Sequence, residues 1–174
     1  MASIEKKFIG LLGGSFDPAH KGHLAISKDA FRRFKLKKVI WAITEKNPLK
    51  KQSKNYIFNR VKYCKKIIGK NSFIEVKFYE KVIKSNKTYK LILYLNRNKK
   101  NEIYFLMGAD NLINFHRWYK WKEISKRCKI IVFDRHGYKK KSLNSTSFRR
   151  LNKNNLTFIR FKKVNISSSQ LRKI

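Results

Sequence analysis

Six short apolar runs alternate along this chain with longer amphipathic stretches, and that alternation restricts the fold more than any other feature. The runs are Phe8–Leu12, Val39–Ile43, Phe73–Phe78, Ile103–Met107, Ile130–Phe133 and Leu156–Phe161. Between the first two, Leu24, Phe31 and Phe34 recur at helical spacing, and Ile57, Val61, Cys64 and Ile68 do so before the third. Strands that alternate with helices require right-handed crossovers and a mostly parallel sheet. The predicted fold is therefore a Rossmann-like, doubly wound α/β domain with helices on both faces. Ile103–Met107 has no polar residue at alternate positions, which predicts a central strand beside the first. Such sheets bind ligands beyond the carboxyl ends of their strands, where the order reverses. The segments after Leu12 and after Met107 are thus where chemistry is expected. No repeat or linker interrupts the pattern, so residues 1–174 read as a single domain, with a loop from Lys139 to Ser147.

Composition limits the function less than it first suggests. The 44 Lys and Arg against 10 Asp and Glu leave a formal charge of +34, a field that attracts nucleic acid, acidic membranes and phosphorylated small molecules. The lysines are spread through every segment and accompany many Asn, Ile, Phe and Tyr, the residues of A/T-rich codons. Charge alone assigns no partner. Cys64 and Cys128 form no CxxC and have no His at metal-ligand spacing, so they read as reduced thiols, and no protein metal site is expected. Lys6-Lys7 precede an apolar run too short for a signal-peptide core, and no run nears the ~20 residues of a membrane span. A cytoplasmic protein is expected, without membrane partner.

Two segments carry phosphate chemistry. After the first strand comes Gly13-Gly14-Ser15-Phe16-Asp17-Pro18-Ala19-His20-Lys21-Gly22-His23. The glycines let the backbone turn sharply and approach a ligand, and a helix starts near Gly22 with free N–H groups and a positive dipole end. His20 and His23 can converge on one phosphate from that helix start. The second segment is Ile166-Ser167-Ser168-Ser169-Gln170-Leu171-Arg172. Ser167 followed three residues later by Gln170 predicts a capped helix, with Arg172 one turn in and able to reach the same anion.

The first string resembles the (H/T)xGH signature of the nucleotidyltransferase superfamily, and the second its ISSTxxR motif. In the middle, Gly108-Ala109-Asp110-Asn111-Leu112 and Phe115-His116-Arg117-Trp118-Tyr119-Lys120-Trp121 resemble the GxDxLxxFxxWxxW stretch of bacterial nicotinate-nucleotide adenylyltransferases. Trp41-Ala42-Ile43-Thr44 through Asn47-Pro48-Leu49-Lys50 resembles that family's loop after the second strand, with Asn47-Pro48-Leu49-Lys50 where many members have Pro-Pro-His-Lys. A family Thr is Lys90 here, and Thr88 is the residue left to contact a carboxylate.

The resemblance implies transfer of AMP from ATP to nicotinic acid mononucleotide, with release of pyrophosphate and with Mg²⁺ on the ATP. It implies catalytic roles for His20, His23, Lys50 and Arg172. ATP would lie against Gly13, Gly14, Ser15, Phe16, His23, Gly108, Asp110, Ser167, Ser168 and Arg172. The acceptor would meet Ser15, Phe16, Thr88 and Trp118, whose ring would stack on the pyridine. Trp118 and Trp121, three apart, are expected on one helix, with Trp121 in the core. A homo-oligomer is possible under this reading. Two rivals stay open at this point: pantetheine-phosphate adenylyltransferase, which shares both end motifs, and a basic nucleic-acid-binding protein, for which no helix-turn-helix, zinc or RNP-type signature is present.

Overall fold

The computed structural model describes residues 5–46, 56–161 and 171. In chain order its elements are β1 (Lys7–Gly14), α1 (Lys21–Arg33), β2 (Lys38–Ile43), α2 (Ile57–Ile68), β3 (Ile74–Lys77), α3 (Glu80–Ile83) and α4 (Thr88–Leu95). There follow β4 (Asn101–Gly108), α5 (Ala109–Asn114), a 3-10 turn Phe115–Arg117, α6 (Trp121–Arg127), β5 (Lys129–Phe133), α7 (Lys139–Leu143), α8 (Thr146–Arg150), a 3-10 turn Lys153–Asn155 and β6 (Leu156–Ile159). All six apolar runs are strands.

The strands form one sheet in the order β3-β2-β1-β4-β5-β6, and every pairing is parallel. This is the doubly wound Rossmann-like fold, with β4 beside β1 as its apolar character required. Neighbouring residues on one strand serve opposite faces, as the period of two demands. Leu11, Ile40, Phe105, Ile130 and Val132 join one buried cluster with Ile92, Leu112, Phe115 and Ile124. Leu12, Trp41, Leu106, Ile131 and Phe133 join the other with Ala30 and Cys64. Gly10 lies where the chain passes too close for a side chain: a Cβ there would be 2.9 Å from Leu36 Cδ1 and 3.1 Å from Val39 Cγ2. The strand order reverses between β1 and β4, so the carboxyl ends of these two strands and β2 open onto one crevice.

Two expectations are corrected. Lys139 to Ser147 is not a loop but carries α7 and the start of α8. Its serines satisfy the helix ends: Ser145 Oγ accepts from Phe148 N at 3.1 Å and donates to Ser142 O at 2.6 Å, and Ser142 and Ser147 are fully buried. Trp118 and Trp121 do not share a helix. The 3-10 turn ends at an extended Trp118, Lys120 takes a left-handed φ of 50°, and only then does α6 begin at Trp121. Among the described residues no helix is long and apolar enough to cross a membrane.

Candidate active site

His20 and His23 build the start of α1 between them. His20 is the N-cap, and its Nδ1 accepts from Gly22 N at 3.1 Å; His23, three residues on, accepts from His20 N through its own Nδ1, also at 3.1 Å. The pair is a capping box in which imidazoles replace the usual hydroxyl and carboxylate. A backbone N–H can only donate, so both Nδ1 atoms carry lone pairs and each neutral ring holds its proton on Nε2. The two rings lie 3.9 Å apart between centroids. Two Nε2–H donors therefore leave one helix N-terminus side by side, a geometry suited to an anion.

The floor beneath them is aromatic and rigid. Phe16, buried and at a left-handed φ of 48°, has its ring 4.7 Å from His23 and stacked on Trp41 at 5.0 Å. Ser27 Oγ donates to His23 O and accepts from Trp41 Nε1, both at 2.8 Å. His23 cannot turn without disturbing this stack.

Burial, helped by the charge of Arg135, pulls His20 from the ordinary 6.5 down to about 4. It is thus a neutral donor, not a cation, at physiological pH. Its folded-state pKa is depressed, so its contribution to stability is fully present above pH 6.5 and is lost as pH falls toward about 4. Two-dimensional NMR of the imidazole nitrogens is expected to show the Nε2–H form and a midpoint near 4; a midpoint at 6.5 would mean an open, solvated ring. Arg135 Nη1 in turn donates to Asp110 Oδ2 at 2.6 Å. Asp110 follows Gly108 at the end of β4, where a Cβ on Gly108 would come within 2.5 Å of Asp110 Oδ1. The carboxylate that the resemblance assigns to ATP is here paired with a guanidinium.

A cavity of about 360 Å³ opens at the carboxyl ends of β1, β2 and β4; His20, His23, Ser15, Phe16, Gly108 and Asp110 are not among the residues that line it. Gly13 and Gly14 form part of its wall, and Thr88 and Trp118 stand across it. Trp118 is wedged edge-on against Phe105 and Phe115, at centroid distances of 6.0 and 5.3 Å, which fixes its ring. Trp121 packs against the core, as expected. Tyr79, Glu80, Asn86, Lys87, Arg117 and Tyr119 also line the cavity, and nothing in the sequence singled them out for this place. The Thr44 hydroxyl and Glu45 N both donate to Glu80 Oε1, the latter at 3.2 Å. Ser15 presents its carbonyl to Arg60, at 2.7 Å. Lys50, Ser167, Ser168 and Arg172, with the capping box proposed at Ser167, lie outside the described residues.

Among the described residues no group of three or more His, Cys, Asp or Glu could hold a metal ion. Cys64 and Cys128 are buried, free and pushed up to about 12, which keeps them as inert thiols at neutral pH.

Known proteins resemble this chain in sequence and in fold. The cytidylyltransferase-like family model matches residues 11–174. The chain is similar to a protein of Pelagibacter ubique (strain HTCC1062) named "Probable nicotinate-nucleotide adenylyltransferase", with 66% identity over 170 residues, 98% of this chain and 94% of the relative. A protein of the same name from Agrobacterium fabrum is 36% identical over 139 residues, 79% of this chain and 74% of the relative. Among solved structures, Plasmodium falciparum nicotinic acid mononucleotide adenylyltransferase complexed with NaAD superimposes with a TM-score of 0.79 over 96% of this chain and 83% of that chain. Its sequence identity is 20%, so this likeness speaks for the fold.

Proposed function

We propose a function from one premise: this chain belongs to the nicotinate-nucleotide adenylyltransferase family, within the cytidylyltransferase-like proteins. It transfers AMP from ATP to nicotinic acid mononucleotide, giving nicotinic acid adenine dinucleotide and pyrophosphate. A phosphate oxygen of the mononucleotide forms a bond to the α-phosphorus, the bond to the β-phosphate oxygen breaks, and its electron pair leaves with pyrophosphate. The attacking oxygen is already ionised, so no general base is needed, and catalysis rests on positioning and charge stabilisation.

The observation that carries this reading is the pair of Nε2–H donors at the start of α1, beyond the carboxyl end of β1, whose Gly13 and Gly14 line the cavity that Trp118 also lines. His20 and His23 hold the reacting phosphates, with Gly13, Gly14 and the Ser15-Phe16 backbone beside them. Asp110, locked to Arg135, shapes the ATP side together with Gly108. Thr88 and Trp118 receive the nicotinate ring. The family resemblance assigns Lys50, Ser167, Ser168 and Arg172 to the triphosphate. The family resemblance implies Mg²⁺ bound to the ATP, as part of the substrate.

Pyrophosphate release with ATP and Mg²⁺ tests the assignment when nicotinic acid mononucleotide, nicotinamide mononucleotide and phosphopantetheine are each supplied as acceptor. The first is expected to be turned over fastest. Faster release with phosphopantetheine would move the protein to the rival acceptor class. Any binding of DNA by the +34 surface is expected to be weak and lost with salt, while turnover persists.

A further inference from the structure

Arg60 lies on α2, outside every segment assigned to the chemistry, yet only 3% of its surface is exposed. A guanidinium has five donors and no acceptor, so its burial demands oxygen partners. It meets three main-chain carbonyls. Nη1 donates to Ser15 O at 2.7 Å and to Thr44 O at 2.8 Å, and Nη2 to Glu45 O at 3.2 Å. Burial pulls its pKa down, and the charges of Asp17, Glu45 and Glu80 support the cation against that burial.

These carbonyls belong to different loops. Ser15 leads into Phe16 after β1, whereas Thr44 and Glu45 follow β2 and approach the acceptor cavity. The strands themselves connect the loops only up to Thr44 N, which donates to Gly14 O at 2.9 Å. Beyond that point Arg60 takes over. In a trans peptide the C=O of one residue and the N–H of the next point in opposite directions. Holding Ser15 O therefore turns Phe16 N–H to the far side of the turn, at a residue whose φ of 48° persists only where its surroundings enforce it. Holding Thr44 O likewise sends Glu45 N–H toward Glu80, where it donates.

We propose that Arg60 is a positioning residue for adenylyl transfer: it sets the separation between the phosphate-holding turn at Ser15-Phe16 and the Thr44 wall of the acceptor cavity. It acts through these two loops and not on substrate. The inference rests on the function proposed above.

Arg60→Lys keeps the charge, but one ammonium cannot reproduce a planar fork onto three carbonyls. It is expected to lower kcat/KM for nicotinic acid mononucleotide, at saturating ATP, by about 100-fold, the scale of misplacing reacting groups by about 1 Å. Guanidinium ion added to Arg60→Gly raises its turnover, and sodium chloride at equal concentration does not. Cys64→Ala, one turn along α2 and also fully buried, lowers the melting temperature without changing the kinetic constants. The inference is overturned if Arg60→Lys keeps the parent's kcat and acceptor KM. It is equally overturned if Cys64→Ala reproduces the kinetic loss, since the arginine would then be merely structural. Absence of pyrophosphate release by the parent protein with this acceptor would instead overturn the functional reading, and this inference with it.

Discussion

Replacing His23 by Ala is expected to lower turnover by about 100-fold or more, the usual consequence of removing one preorganised donor from a developing charge. That factor corresponds to ~2.7 kcal/mol of transition-state stabilisation. The variant also deletes half of the capping box, so part of any loss could be helix fraying; a lost cap costs about 1 kcal/mol of stability. His20→Ser separates the two effects. A serine hydroxyl still caps α1 by accepting from the first turn, but it has no Nε2–H to reach a phosphate. Turnover of His20→Ser is expected to fall by a similar factor while the melting temperature stays close to the parent's. Near-normal turnover in either folded variant would reduce the paired imidazoles to a cap.

Acceptor choice should show the next largest effect. Nicotinic acid mononucleotide carries a ring carboxylate that the amide lacks, and the cavity proposed to receive it is lined by donors and positive charge. Thr88 opens α4, whose first turn has no acidic residue and whose N-cap Lys87 makes no side-chain cap, leaving N–H groups at a positive dipole end. Lys87 and Arg117 add positive charge to the lining, while the Glu80 carboxylate is already engaged by Thr44 and Glu45. Turnover of the acid is expected to exceed that of the amide by about tenfold or more, equivalent to at least ~1.4 kcal/mol of discrimination. Trp118→Ala is expected to raise the acceptor KM by about tenfold, within the ~1–3 kcal/mol that stacking a base on an aromatic ring supplies. The KM for ATP should move far less. Equal use of acid and amide would remove the role given to Thr88, and an unchanged acceptor KM the role given to Trp118.

The sequence made the inner strands legible because they are buried on both faces, and so read as apolar runs such as Ile103–Met107, whereas the edge strands β3 and β6 admit Glu75, Lys77 and Thr157. The switch point between β1 and β4 followed from that. The histidine pair was legible because HxGH places both rings at a helix start, although their mutual capping was visible only in three dimensions. Arg60 was not legible. Within Asn59-Arg60-Val61-Lys62, in a chain so rich in lysine, nothing distinguishes a buried cation from a solvated one. Tyr79, Asn86 and Tyr119 reach the cavity because short helices after β3 and the Lys120 turn fold over it. Lys120 adopts a left-handed φ usually signalled by Gly or Asn, and that substitution concealed the break between Trp118 and Trp121. From Lys139 to Ser147 the lysines and serines imitate a loop: Ser142 Oγ donates to Lys139 O within its own turn, but Ser147 Oγ accepts from His116 N, a contact beyond local pattern reach.

Label transfer measures directly whether this chain joins the AMP moiety of ATP to nicotinic acid mononucleotide. The protein is incubated with Mg²⁺, ATP labelled at the α-phosphate and nicotinic acid mononucleotide, and the nucleotides are separated. Label is expected in nicotinic acid adenine dinucleotide, in a one-to-one ratio with the pyrophosphate released. Label remaining in ATP, or recovered as AMP without dinucleotide, would rule out adenylyl transfer to this acceptor.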